Sequence, residues 1–272
     1  MKAGMKAEIN ERYRSWDLER YFFRGIAKFM PFVRKIHLIL SDEEQVPSWL
    51  DRDKVHIVLH KDIMPEEVLP TFNSSTIEMW LHNITGLSET FIYCNDDMIA
   101  TSPMRAEDFF LDGMPVFHCE SQEQPIVGSF LRTCKNSLDV ASQDHDAVFA
   151  DDELLDDGHS YAPLLLSVVK ETVAGHGDVM CESCTPFRDE KNLCRRLYTY
   201  EQWLGKKYAD GSHTHRYFTI SSPYSEVEEE LLAGEAGVAC FNDTGIGDWR
   251  EMKSMLYGVL QQILGEKCEY EL

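Results

Sequence analysis

The sequence predicts an α/β protein. Three observations carry that expectation. Short apolar runs of strand type alternate with stretches of helical periodicity along the chain. Two of those runs end in Asn-Asp pairs, Asn95-Asp96 and Asn242-Asp243, and ligands in open α/β sheets bind beyond the carboxyl ends of strands. Hydrophobic residues make up 43% of the 272 positions, which suffices for a packed core and argues against global disorder.

The elements are expected in this order. Residues 9–30 form an amphipathic helix, with Leu18, Phe22, Ile26, Phe29 and Met30 on one face and Pro31 as its stop. Ile36–Leu40 and Val55–Leu59 are buried strands, separated by a turn anchored at Val46-Pro-Ser-Trp-Leu50. A helix over 75–84 is expected from the capping-box spacing Ser75-x-x-Glu78 and from Ile77, Leu81 and Ile84. Phe91–Cys94 is the next strand and runs into Asn95-Asp96-Asp97. Residues 101–157 carry turns, a strand near Pro115–Phe117 and the acidic run 151–157, and are expected to be an insertion or acceptor-side subregion of a single domain spanning 1–272. A helix over 161–174 would hold Pro163 in its first turn. Another begins near Asp189, with Leu193, Leu197, Tyr200 and Leu204 on one face. Tyr217–Ile220 and Val238–Phe241 are strands, and a last helix over 246–264 turns Trp249, Met252, Leu256, Val259, Leu260 and Ile263 inward.

The formal charge of −21 disfavours nucleic acid and anionic lipid as partners. A phosphorylated ligand remains compatible if a local cation or metal cancels the field. No run approaches the roughly 18–20 apolar residues of a membrane span, and the first residues lack an apolar signal core, so a cytoplasmic location is the expectation. The eight cysteines are scattered. Cys181 and Cys184, with Cys194 and His176, have donor types that zinc takes, but a lone CxxC pair favours structural or incidental roles.

The acidic pair at a strand end is the sharpest local signal. Adjacent carboxylates repel unless solvent or a cation separates them, and Mg²⁺ or Mn²⁺ takes hard oxygen ligands of this kind; an Asn/Asp turn is the plain alternative. Asn242-Asp243 repeats the arrangement and is equally readable as a helix cap. His159, after Asp157-Gly158, is a candidate base, with Asp156 or Asp157 to orient it. Arg188, just before a helix, is a candidate phosphate clamp or an ion-pair partner of Asp189 or Glu190. His213-Thr-His215 reads as an exposed loop before it reads as a metal site. P-loop, GxSxG and GxGxxG motifs are absent from the sequence.

The order and wording of these segments resemble the Stealth family, which includes bacterial capsule hexose-phosphate transferases and the animal N-acetylglucosamine-1-phosphotransferase. Its second conserved region is matched by Ser15-Trp-Asp-Leu18, Val46–Leu50, His60-Lys-Asp-Ile63, Leu69-Pro-Thr-Phe-Asn-Ser74, Gly86-Leu-Ser-Glu89 and Phe91–Asp97. The third is matched by Gly158-His159 and Pro186-Phe-Arg-Asp189 through Gly205, and the fourth by Cys240-Phe-Asn-Asp243. The family's first region, a strand ending in a Trp-Val-Asp-Gly-like motif, is not represented. Leu-His-Arg-Ile reads Leu81-His-Asn-Ile84, and the usual Gly-Gln turn reads Asp42-Glu-Glu-Gln45.

The resemblance implies a fold like the GT-A nucleotide-sugar glycosyltransferases, a Rossmann-like mixed sheet flanked by helices but lacking its usual first strand. It implies attack of a glycan hydroxyl on the sugar-bearing phosphate of a nucleotide-sugar donor, with Mg²⁺ or Mn²⁺ as cofactor. Asp96, Asp97 and Asp243 would hold metal, His159 would be the base and Arg188 the phosphate ligand. Asn95, Arg188 and Asn242 would contact substrate, with His159, Arg188 and Asp97 as the catalytic group. Glycosyl transfer with a nucleoside diphosphate leaving, and a non-catalytic glycan-binding homologue, stand as alternatives. Homo-oligomerisation is left open.

Overall fold

The computed structural model describes residues 16–219, 221–243 and 248–272. The chain opens with helix α1 (Glu19–Phe29). Strands β1 (Ile36–Leu40) and β2 (Val55–Leu59) follow, then short helices α2 (His60–Ile63) and α3 (Ser74–Glu78). Strands β3 (Thr90–Tyr93), β4 (Met98–Ala100), β5 (Phe110–Leu111), β6 (Met114–Phe117) and β7 (Glu120–Glu123) lead to helix α4 (Ser129–Asp144). Next come β8 (Glu153–Asp156), β9 (Ala162–Leu165), α5 (Leu166–Ser183) and α6 (Arg196–Leu204). The chain closes with β10 (Ala209–Asp210), β11 (His215–Thr219), α7 (Tyr224–Ala233), β12 (Val238–Asn242) and α8 (Trp249–Leu264).

The α/β class is as expected, whereas the strands fall into five sheets of two or three strands among the described residues. β1 and β2 are parallel, with His37 opposite His56. β11, α7 and β12 make a parallel βαβ unit, the connection a parallel pair requires. β4 adds to β12 antiparallel, Met98 facing Cys240. β3 pairs with β9 antiparallel, β6 lies between β5 and β10, and β7 pairs with β8.

Two apolar cores fill the molecule. The first gathers Phe22, Phe23 and Ile26 of α1 with β4, β12 and the inner face of α8. Gly25 lets α1 cross β4 closely, since a Cβ there would lie 2.5 Å from the Ala100 carbonyl oxygen. The second gathers Leu138, Leu164, Val169, Leu197 and Tyr198 from α4, β9, α5 and α6.

The first two strands stand where the sequence put them, and α1 ends before Pro31. Residues 9–15 of the expected helix, and Ile220, Ile246 and Gly247, lie outside the described residues. Three expectations need correction. The helix at 75–84 is α3 followed by a 3₁₀ turn, and its cap is Asn73, whose side chain accepts from Ser75 N–H, because Glu78 is occupied elsewhere. The helix over 161–174 begins only at Leu166, since Pro163 lies in β9 against Ile92 of β3. A fully buried apolar run reads as helix or strand until its partner is known. The helix from Asp189 begins at Arg196, because distant acceptors take the preceding backbone donors: Arg195 N–H bonds Glu78 Oε2 at 2.7 Å. Within 101–157 the chain folds into β5 to β8 and the sixteen-residue α4, which packs on α6. That helix buries Thr133, Lys135, Ser137 and Ser142 beside its apolar residues, so its inner face has weak apolar contrast. α7 is likewise absent from the sequence expectation.

Candidate active site

The turn joining β3 to β4 carries Asn95, Asp96 and Asp97, and Met98 N–H closes it onto the Asn95 carbonyl at 3.3 Å. Phe241 N–H donates to the Asp97 carbonyl at 2.9 Å, which continues the β4–β12 ladder. That register sets Asn242 and Asp243, at the end of β12, beside the Asn95–Asp97 turn. Asn95 is held by Tyr93, whose hydroxyl lies 2.9 Å from Asn95 Oδ1 and 3.0 Å from Glu78 Oε1.

Ligand atoms of Asp97, His159 and Cys240 lie within 4.8 Å of one another. Three distant stretches of chain therefore meet at one point. Asp96 is exposed and Asp97 half-buried. Burial, and then the charge of Asp96, pushes the Asp97 carboxyl up to about 6, although the Cys240 thiol donates to it. Asp97 Oδ1 is enclosed without a hydrogen-bond partner. His159 packs edge-on against Tyr217, ring centres 5.5 Å apart, and the Asn242 amide donates to the Tyr217 hydroxyl. Burial, and then the Arg195 and Arg196 guanidiniums, pushes His159 down to about 4 against the pull of Asp157.

Gly158 has φ of +74°, a left-handed conformation that turns the chain from β8 into His159. A Cβ at that position would lie 3.1 Å from the His215 ring. The expectation that Asp156 or Asp157 orients His159 is corrected: both carboxylates serve the arginines instead. Asp157 Oδ2 meets Arg195 Nη1 at 2.6 Å, and Asp157 Oδ1 meets Arg196 Nε at 2.9 Å. Asp156 Oδ1 takes Arg196 Nη2 at 2.7 Å. Burial opposes the charge of Asp157, yet the two guanidiniums outweigh it and hold the carboxyl below its ordinary range.

Arg188 is exposed and reaches Ser74 Oγ at 3.2 Å. Its loop is fixed by a buried polar clasp. Asn73, fully buried, donates from Nδ2 to Asn192 Oδ1 at 3.0 Å and to the Phe187 carbonyl at 3.3 Å. Phe72 N–H donates to the Pro186 carbonyl at 2.8 Å, and Thr76 Oγ1 to the Thr185 carbonyl at 2.9 Å. The run Leu69–Ser74 thus holds the run Pro186–Asp189.

Asp97, His159 and, through Tyr217, Asn242 are brought together. Asp96 and Asp243 adjoin them along the backbone, but Asp96, Asp97 and Asp243 do not together form one of the compact ligand groups among the described residues. His213 is no open loop residue: its ring lies 4.8 Å from that of Phe109 and its Nε2 is 2.7 Å from Ser160 Oγ. The cysteine–His176 set does not assemble either. Cys194 is buried with Cys134 and Leu154, Cys184 donates to the Met180 carbonyl, and His176 faces Asp144.

Sequence reasoning missed Cys240, Tyr217, Glu78, Arg195 and Arg196. Alternation offered a signal for the first, since Cys240 shares a strand face with Asn242 two residues on.

The family model described as Stealth protein CR2, conserved region 2, matches residues 12–117. The receptor polysaccharide phosphotransferase WefC of Streptococcus oralis is 28% identical over 96% of this chain and 88% of its own length. The capsular polysaccharide phosphotransferase WcwK of Streptococcus pneumoniae is 27% identical over the same shares. The exopolysaccharide phosphotransferase cps2G of Lactiplantibacillus plantarum is 47% identical over 38% of this chain and 31% of its own. The chain carries the Stealth family's conserved region 2. The Stealth CR2 match spans α1 to β6 and so includes both the Asn73 clasp and the Asn95–Asp97 turn. No helix among the described residues is long and apolar enough to cross a membrane.

Proposed function

We propose that this protein transfers a hexose-1-phosphate from a nucleotide sugar to a glycan hydroxyl. Its kinship makes it a phosphotransferase of polysaccharide synthesis; the donor, the metal and the residue roles are our reading. The observation that carries it is the meeting of Asp97 and His159 from distant chain segments in one compact group.

In this reading the acceptor hydroxyl oxygen forms a bond to the sugar-bearing phosphorus. The bond from that phosphorus to the bridging oxygen breaks, and the nucleoside monophosphate leaves with the electron pair. The hydroxyl proton passes to His159. Burial and the two guanidiniums leave the imidazole unprotonated at neutral pH, and the anionic phosphates of a bound donor would raise its proton affinity toward the range in which a base works best. Arg188, exposed on its fixed loop, receives phosphate oxygens. Asn95 and Asn242 contact substrate.

A hard divalent ion, Mg²⁺ or Mn²⁺, fits the carboxylates here in one respect: Asp97 Oδ1 is enclosed and lacks a partner, beside the exposed Asp96. Asp96, Asp97 and Asp243 would hold it. When bound, such an ion neutralises charge developing on the departing phosphate.

The test is product analysis with a panel of nucleotide sugars and Mg²⁺ or Mn²⁺. Nucleoside monophosphate is the expected product, and a nucleoside diphosphate would mean ordinary glycosyl transfer. His159→Ala, with circular dichroism confirming the fold, is expected to lose about 10²- to 10⁴-fold in turnover. Unchanged turnover removes His159 as the base.

A further inference from the structure

A second group of ligand-bearing side chains lies outside the site described above and shares no residue with it. Asp144 and His145 end α4, His176 lies within α5, and Glu201 is on α6. Ligand atoms of Asp144, His176 and Glu201 all fall within 4.8 Å of one another. His176 Nε2 is 2.9 Å from Asp144 Oδ2 and 4.0 Å from Glu201 Oε1. His145 Nε2 is 2.9 Å from Glu201 Oε2.

We propose that Asp144, His145, His176 and Glu201 bind a divalent transition-metal ion of the zinc class, joining α4, α5 and α6.

The donor set is two imidazole nitrogens and two carboxylates, which suits zinc and not magnesium. Bonds of about 2.0–2.1 Å in a tetrahedron set ligand atoms about 3.3 Å apart. The His176 distances of 2.9 and 4.0 Å bracket that separation for Asp144, His176 and Glu201, and His145 adjoins the group through Glu201 Oε2 at 2.9 Å. Glu201 supplies the independent sign. Its side chain is only 8% exposed, and its Oε1 points toward His176 with no hydrogen-bond partner. A buried carboxylate oxygen left unsatisfied is costly, and a cation removes the cost. The α5 backbone also leaves helical geometry at His176 itself, with φ of −124° and ψ of 15°. Asp144 is half-exposed and gives an ion a way in from solvent.

Each imidazole now meets a carboxylate through Nε2, and a hydrogen bond there requires a proton on that nitrogen. Metal takes Nε2 only when the ring's proton sits on Nδ1 instead, so uptake trades both hydrogen bonds for coordination. An ion at Glu201 would fix α6, whose start carries Arg195 and Arg196.

The test uses the full chain, freed of metal with a chelator and titrated with Co²⁺, a visible-absorbing stand-in for Zn²⁺. In excess Mg²⁺, which fills hard-oxygen sites, one Co²⁺ per chain is expected, with the absorption of a four-coordinate ion, displaced by Zn²⁺. His176→Gln is expected to abolish the signal, and Asp144→Asn, at a half-exposed position that leaves folding intact, to weaken affinity at least tenfold. Asp97→Asn should bind as the parent does. The proposal is overturned if the parent shows no such absorption, or if His176→Gln and Asp144→Asn bind unchanged. It is equally overturned if Asp97→Asn alone loses the signal, or if a thiolate charge-transfer band places the ion on Cys240.

Discussion

Replacing Asp157 by Asn is expected to destabilise the protein by about 3 kcal/mol. The side chain is 5% exposed and lies between Arg195 and Arg196, themselves 11% and 8% exposed. Asparagine keeps the shape and removes the charge, which leaves two guanidiniums buried with less than their full counter-charge. Breaking a buried pair by neutralising one partner costs about 3–5 kcal/mol. The lower end applies because Asp156 still holds Arg196 at 2.7 Å and Thr199 still accepts from Arg195 at 2.9 Å. In a chain of this size that corresponds to a fall of about 6–12 °C in Tm. The comparison is Asp156→Asn, whose parent carboxylate is 39% exposed and whose loss should cost about 1 kcal/mol or less. Urea unfolding of both variants, with unchanged slope against denaturant, measures the difference. If the two midpoints coincide, the argument that burial makes Asp157 the anchor of the arginine pair is wrong.

Asn73→Ala removes the cap of α3 and the donor that holds the Arg188 loop. The expected loss is about 2–4 kcal/mol, from a cap of about 1 kcal/mol and the unsatisfied partners left behind. Steady-state kinetics should show donor KM rising more than kcat falls, since the loop and not the base is disturbed. His213 gives a pH dependence: burial first, then His215, pushes it from 6.5 down to about 4. The unfolded chain takes up this proton near pH 6.5 and the folded chain only near 4. The stability is therefore full above pH 6.5 and lost as pH falls toward 4, by about 2–3 kcal/mol at pH 4.5 at about 1.4 kcal/mol per pH unit. His213→Gln, compared with the parent by urea midpoints at pH 7 and 4.5, should lose that much less on acidification.

The parts of the fold legible in the sequence are those whose signals are local. Ile36–Leu40 and Val55–Leu59 are continuous β-rich runs, and Pro31 stops α1 whatever surrounds it. The misread parts depend on distant partners. β9 is a strand only because β3 lies beside it, and α6 starts late because Glu78 captures the Arg195 amide. α4 hid because its buried face mixes Thr133, Ser137 and Lys135 with Leu138. At the site, Asp97 and His159 stood out as chemical types at the ends of strands. Cys240, Tyr217 and the arginine pair did not, since thiol, phenol and paired charges are ordinary core and surface residues until the chain folds them against Asp97 and Asp157.

Glu78 has a consequence for anyone altering this protein. One oxygen takes the Tyr93 hydroxyl that also touches Asn95, and the other takes the first amide ahead of α6. Two loops far apart in sequence therefore share a single rivet. A redesign of the acidic turn meant to change substrate preference will also tug on the arginine-bearing helix, so the two must be varied as one unit.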